Sequence, residues 1–152
     1  FISIVFLGLF QFYSNHSSNQ SGVLAMHIHA RLIISIEGRD FVVPSDIGIN
    51  RELWIDHNLD DFNPEGMSPL HTHDSSGTIH VESTVVRDYT LGEFFDVWGV
   101  RFDERCISDY CSNDTYALRT YVNGNQIFNF INHVLKDSDE ILIEFGPNKF
   151  PI

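Results

Sequence analysis

The sequence predicts an α+β domain in which one main helix packs on a mixed β-sheet. The first observation is an alternating, strand-like pattern from Met26 to Glu37, followed by a turn and a returning strand at 40–43. The second is one amphipathic helix at 90–98, and the third is a later hairpin followed by a closing strand. This order is typical of a sheet with its helix on one face rather than of alternating β and α units.

The first hairpin turns at Glu37–Asp40, and its pattern breaks at Pro44 and Gly48. Between this hairpin and the helix, the patterns predict a helical or irregular segment at 49–61 and a loop at 62–69. A short extended piece at 71–74 and a strand at 78–84 follow. In the last of these, His80 and Glu82 point to one face, and Ile79 and Val81 point to the other.

The helix at 90–98 carries recognisable start and stop signals. Thr90 and Glu93 have the T-x-x-E spacing of a capping box, and Gly99 is placed to end the helix. An apolar face with helical spacing is formed by Leu91, Phe94, Phe95 and Trp98.

The C-terminal part predicts strands at 116–122 and 125–128, joined by Asn123-Gly124, which is typical of a type I′ turn. Residues 101–115 are polar and irregular, and a closing strand is predicted at 140–145. The run that ends at Gly146 resembles the ends of several β-grasp domains. We therefore expect a β-grasp-like arrangement, with a small β-barrel or sandwich as the alternative.

The N-terminal residues differ sharply from the rest of the chain. Residues 1–13 are almost entirely apolar, and we interpret them as the end of a transmembrane anchor or signal segment, because they are too short to span a bilayer alone. The polar residues 14–24 form a flexible linker, and 25–152 form the domain. A membrane-anchored protein that faces outside the cytoplasm is the expectation.

The composition limits the partners. The chain has 152 residues, with 9 basic and 21 acidic side chains and a net charge of −12. Nucleic-acid binding requires a basic surface, so we expect no nucleic-acid partner. An acidic surface attracts cations instead.

Two cysteines and three sequons fit an extracytoplasmic protein. Cys106 and Cys111 are spaced C-x4-C, which outside the cytoplasm most simply predicts a disulfide, with metal ligation as the alternative. The candidate glycosylation sites are Asn15, Asn19 and Asn113.

The strongest functional signal is a set of histidines with strand spacing. Two His-x-His pairs and one further histidine supply five imidazoles: His27, His29, His71, His73 and His80. In a strand, residues two apart share a face, so each pair presents two rings side by side. Three or four imidazoles complete a metal site, and this set predicts one.

The ligand types indicate copper or zinc as the cofactor. Imidazole and carboxylate ligands suit Zn²⁺ and Cu²⁺, whereas a thioether from Met26 or Met67 would favour copper(I). Asp74 and Glu82 are candidate supporting groups around the histidines, either as ligands or as acceptors that fix a ring tautomer.

Four motifs stand out along the chain: MHIH at 26–29, VPSDIGI at 43–49, PLHTHDSSGTIHVES at 69–83 and YTLGEFFDVWG at 89–99. They resemble an uncharacterised family of membrane-anchored extracytoplasmic proteins of ammonia-oxidising archaea and some bacteria. The resemblance covers about residues 26 to 146 and implies the extracytoplasmic location and a shared histidine set. It implies no established activity. By association with the copper enzymes of such archaea it favours copper. The segment around Cys106 and Cys111 is not part of the resemblance.

Three functions are compatible with the sequence. The first is a membrane-tethered protein that handles copper or zinc, or serves as an accessory subunit of a membrane enzyme complex. The second is a metalloenzyme in which three histidines hold the metal and Asp74 or Glu82 is the general base. The third is a structural domain with a closed zinc site.

Overall fold

The first strand, β1 (Met26–Ile36), lies at the centre of the sheet because it pairs on both sides. In the computed structural model, which describes residues 23–62 and 66–148, β1 pairs in parallel with the closing strand β9 (Glu140–Pro147). On its other side it pairs antiparallel with β2 (Arg39–Phe41) through its second half and with β4 (Thr78–Ser83) through its first half. Its buried residues alternate along the strand as Ala30, Leu32 and Ile34.

Seven strands make up the mixed sheet. The order is β3-β4-β1-β9-β7-β8, with β2 also paired to β1; the remaining strands are β3 (Leu70–His71), β7 (Tyr116–Val122) and β8 (Asn125–Ile127). In the part of the chain that the structure describes, β3 and β8 are the two ends of this order and do not pair. The sheet is therefore open, and the barrel alternative is wrong. The α+β class is confirmed, with a mixed sheet and one α-helix within residues 23–62 and 66–148.

The helix α1 (Leu91–Trp98) begins and ends as its sequence predicts. The Thr90 backbone N–H donates to Glu93 Oε2 at 2.8 Å, and the Glu93 backbone N–H donates to Thr90 Oγ1 at 3.3 Å. Gly99 has a φ of 75° and donates its N–H to the carbonyls of Phe95 and Asp96. The buried face packs into the hydrophobic core through Leu91, Phe94, Phe95, Val97 and Trp98.

Two segments are more regular than their sequence suggests. The polar region after the helix contains a small hairpin of β5 (Cys106–Ile107) and β6 (Tyr110–Cys111), which forms a separate two-stranded sheet. The segment at 49–61 contains a short 3-10 helix at Arg51–Leu53, and a second one follows at Asp60–Phe62. Asp103 orders the start of the hairpin, because its Oδ1 accepts from the backbone N–H of Arg105 and of Cys106.

The predicted anchor at 1–13, and all but the last two residues of the linker at 14–24, lie outside the described residues. Within 23–62 and 66–148, no helix has the length and apolar character needed to cross a bilayer.

Candidate metal centre

The strand register brings histidines from three strands onto one face of the sheet. His71 of β3 pairs with His80 of β4, and His80 pairs with His29 of β1. One row further along, His27 of β1 lies opposite Glu82 of β4. Directly paired residues point to the same face, so these side chains form two adjacent rows.

The opposite face of the same strands packs into the core. Ile79 and Val81 are fully buried, while the side chain of His80 between them keeps 18% of its surface exposed. Slipping the register by one residue would bury the histidines and expose this apolar pair. The hydrophobic core therefore fixes which face the imidazoles occupy.

His71 is the buried end of the first row, and its tautomer is fixed by the backbone. Its Nδ1 lies 2.9 Å from the carbonyl oxygen of Ser68, which can only accept, so Nδ1 carries the proton and donates. The unprotonated Nε2 points to Nε2 of His73 at 3.2 Å. Burial lowers the pKa of His71, which favours the neutral ring that binds metals.

Gly48 allows the backbone around His71 to approach closely. It has a φ of 70°, and a Cβ at this position would lie 2.5 Å from the carbonyl oxygen of Leu70 and 3.3 Å from Cβ of His71. Only glycine fits this contact without displacement of β3.

His80 lies between the other histidines and has a ring nitrogen without a partner. Its Nδ1 is buried and makes no hydrogen bond, and the nearest carboxylate oxygen, Oε1 of Glu82, is 3.6 Å away. Burial, together with the positive charges that neighbouring rings would carry, lowers the pKa of His80 to about 4. A buried polar atom without a hydrogen-bond partner is costly unless something binds to it. This nitrogen is therefore well suited to be a metal ligand.

Glu82 joins the two rows. Its Oε1 lies 3.2 Å from Nε2 of His27 and 3.6 Å from Nδ1 of His80. Its side chain is only 15% exposed, so the carboxylate is the one largely buried negative charge that the described residues place among these rings.

Two groups of side chains have ligand atoms that all lie within 4.8 Å of one another. The inner group consists of His71, His73, His80 and Glu82, and the outer group consists of His27, His29 and His80. Two nitrogens bound to one tetrahedral metal at 2.0–2.1 Å are about 3.3 Å apart. The 3.2 Å between the Nε2 atoms of His71 and His73 is close to that separation. The residues therefore fit a divalent metal ion that is bound mainly by nitrogen atoms.

Asp74 orders the turn that follows the second His-x-His pair. Its Oδ1 accepts from the backbone N–H of Ser76 at 2.8 Å and so orders the turn between β3 and β4. The hydrogen bonds from Ser76 lower the pKa of this exposed carboxyl group. Its carboxylate oxygens are not in either group of converging ligand atoms.

The remaining histidines of the described chain have separate partners. His57 is exposed, and its Nδ1 lies 3.1 Å from a carboxylate oxygen of Asp60. His133 lies 2.9 Å from Asp139, whose carboxylate also accepts from the backbone of Lys136 and the side chain of Asn123.

The structure describes the cysteine pair and one of the three predicted glycosylation sites. Cys106 and Cys111 form a disulfide across the β5–β6 pair. Asn113 is exposed, and its Oδ1 caps the turn before β7 by accepting from the backbone of Thr115 and Tyr116. Asn15 and Asn19 lie outside the described residues.

Sequence reasoning missed three groups that support the site: the Ser68 carbonyl, Gly48 and Asp137. Asp137 Oδ1 accepts from the backbone N–H of His29 at 3.0 Å and holds the start of β1 against the loop before β9. The side chain of Ser68 gives no sign of its role, because the acceptor is a backbone atom. Gly48 appeared only as a break in the strand pattern.

The fold and the site together define the class: an open mixed sheet with one helix, and with a histidine-rich group on the face opposite the core that could hold a metal ion. No protein-family model, no curated protein and no solved structure matches the chain.

Proposed function

We propose that this protein binds a divalent metal ion through its histidine cluster and acts in metal handling. The observation that carries the proposal is the convergence of His71, His73, His80 and Glu82 within 4.8 Å. The fixed tautomer of His71 supports it, because the lone pair of Nε2 is left free to bind a metal. The buried Nδ1 of His80, which has no hydrogen-bond partner, supports it as well.

Copper(II) or zinc is the metal that these ligands fit. Both accept imidazole and carboxylate, and neither needs sulfur. Met26 points to the core side of β1, where its sulfur accepts from the backbone N–H of Arg87 at 3.3 Å. A thioether from Met26 is therefore not part of the candidate site.

Exposure of the ligands favours exchangeable binding over a closed structural site. His27, His29 and His73 are exposed, whereas structural zinc sites are enclosed by four protein ligands. Two cavities of about 460 and 410 Å³ are lined by other residues, on β7, β8 and β9 and their neighbours, so neither is a substrate pocket over the cluster. Binding and delivery of the ion is the function that this arrangement supports best.

The location that we propose is outside the cytoplasm, with a membrane tether at the N-terminus. The apolar residues 1–13 and the Cys106–Cys111 disulfide support it, because disulfides persist in oxidising compartments. The resemblance to membrane-anchored extracytoplasmic proteins gives the same expectation. A membrane enzyme complex that requires the metal is the partner we propose.

We also propose a β-grasp relationship for the core of the sheet. The parallel pair β1 and β9 lies in the middle, β2 and β7 flank it, and α1 follows the first hairpin along the chain. In this interpretation β3 and β4 are an addition that extends the sheet along the first half of β1 and carries three of the ligands.

The experiment that tests the function is a metal-binding measurement on the purified protein. Elemental analysis of protein isolated from its own membrane should find about one copper or zinc per chain, and titration of the metal-free protein should reproduce this stoichiometry. The His71→Ala/His73→Ala double variant should bind the metal far more weakly. His57→Ala is the matched control, because it removes an exposed histidine outside the cluster. Absence of binding by the unchanged protein, or full binding by the double variant, would refute the proposal.

A further inference from the structure

The inner and outer groups overlap in one residue, His80. The inner group uses His71, His73, His80 and Glu82, and the outer group uses His27, His29 and His80. The register explains this overlap, because β4 lies between β3 and β1 and His80 is paired with a histidine on each side. A metal bound at either position would thus have His80 as a ligand.

The outer position has two exposed ligands, His27 and His29, whereas the inner position has one, His73, beside the buried His71. The His27 side chain is 53% exposed, that of His80 is 18% exposed, and His71 is completely buried. The row from β1 to β3 therefore runs from solvent to the interior. An ion that arrives from solvent therefore meets two exposed imidazoles at the outer position and one at the inner position.

Adjacent positions with a common ligand permit transfer without release. While an ion stays bound to His80, the outer imidazoles can be replaced by those of His71 and His73 in successive steps. Glu82 is placed to follow the ion, because its Oε1 is 3.2 Å from His27 and 3.6 Å from His80. Its charge lowers the cost of moving a cation into a partly buried position.

We propose that His27, His29 and His80 form an outer metal position that takes up the ion from solvent and passes it to the inner position by ligand exchange on His80. This inference rests on the proposed metal-binding function. The two positions are occupied alternately, so the chain holds one divalent ion at a time. The outer position is an entry step that accelerates both loading and release.

The test uses Co²⁺ as a spectroscopic stand-in for Zn²⁺, with the full chain and stopped-flow absorbance. In the His27→Gln/His29→Gln variant, the association and dissociation rates of Co²⁺ should fall together by about tenfold or more, because an entry step affects both directions equally. The dissociation constant should stay within about threefold of the unchanged protein, a difference of less than 1 kcal/mol. Both substitutions are at exposed strand positions, so folding is preserved.

A second variant isolates the outer position. In His71→Asn/His73→Gln, Asn keeps an N–H near the Ser68 carbonyl, and the chain should still bind about one Co²⁺, more weakly and with rapid release. His80→Gln should impair both positions, and His57→Gln is the control that should change neither rate.

The outcomes separate the two proposals. Unchanged rates in the His27→Gln/His29→Gln variant would overturn the entry step alone, and so would a loss of affinity that comes entirely from faster release. Two Co²⁺ ions bound at once would also overturn it, because His80 would then bridge two ions instead of exchanging one. Absence of Co²⁺ binding by the unchanged protein would refute the proposed function itself.

Discussion

Nε2 of His71 lies 3.2 Å from Nε2 of His73, although one ring is fully buried and the other is exposed. Because Nδ1 of His71 donates to the Ser68 carbonyl, Nε2 of His71 must accept in this contact, and Nε2–H of His73 donates. A metal at this place requires that the proton of His73 move from Nε2 to Nδ1 by exchange with solvent, so that the lone pair of Nε2 faces the ion. The buried ring is thus preorganised, and the exposed ring is the adjustable ligand.

This asymmetry predicts different results for the two single substitutions. His73→Ala should weaken metal binding about tenfold or more while it changes the unfolding free energy of the metal-free protein by less than about 0.5 kcal/mol. His71→Ala should weaken binding and also lower that free energy by about 2–3 kcal/mol, because it leaves a cavity and a buried carbonyl without its donor. Metal titration and denaturant unfolding check both. Equal stability losses in the two variants would contradict the assignment of the buried role to His71.

Gly48 packs closely against β3, so we expect a substitution there to change both stability and metal affinity. Gly48→Ala should lower the unfolding free energy by about 3 kcal/mol or more, because its Cβ would meet the Leu70 carbonyl oxygen at 2.5 Å, and metal affinity should fall with it. Gly38→Ala is the matched control. Gly38 has a similar φ of 78° but no atom within 4 Å of the added Cβ, so it should cost only about 1–2 kcal/mol and leave affinity unchanged. Equal affinity in the two variants would show that Gly48 does not position His71.

The part of the site that the sequence predicts is the part that depends on strand alternation. The spacing of His27 and His29 places both on one face, and that inference needs only the period of a strand. The sequence predicts a shared site for His29 and His80 but not their direct pairing, because this pairing depends on the register of β1 against β4, which is distant in the sequence. Long-range register is set by the whole core rather than by a local signal.

The same distinction applies to the fold. The helix at Leu91–Trp98 was predictable because its capping box and its stop glycine are local. The β5–β6 hairpin was not, because its strands have two residues each and depend on the disulfide and on Asp103. Strands that short have no detectable alternation.

The stability of the metal-free protein should depend on pH through the buried rings. The pKa of His80 is lowered from 6.5 to about 4, and that of His71 is also lowered. Between about pH 4 and 6.5 the unfolded chain therefore binds more protons at these histidines than the folded chain does, so the free energy of unfolding rises with pH. Thermal melts from pH 4 to 7 should show a rising Tm. The His80→Gln variant should show a shallower rise, and His57→Gln should retain the full slope. A slope that His80→Gln does not change would contradict this origin.

The Cys106–Cys111 disulfide predicts a contribution to stability that is separate from metal binding. It closes a loop with a sequence separation of 5 residues, for which the loss of chain entropy in the unfolded state is worth about 2 kcal/mol. The Cys106→Ser/Cys111→Ser variant should therefore be less stable by up to about 2 kcal/mol in denaturant unfolding. Its metal stoichiometry and affinity should equal those of the unchanged protein, because both sulfurs are bonded to each other and the inner and outer groups contain no cysteine. Metal loss in the double variant would instead point to thiolate ligation by the pair and would remove the basis for a purely nitrogen and oxygen site.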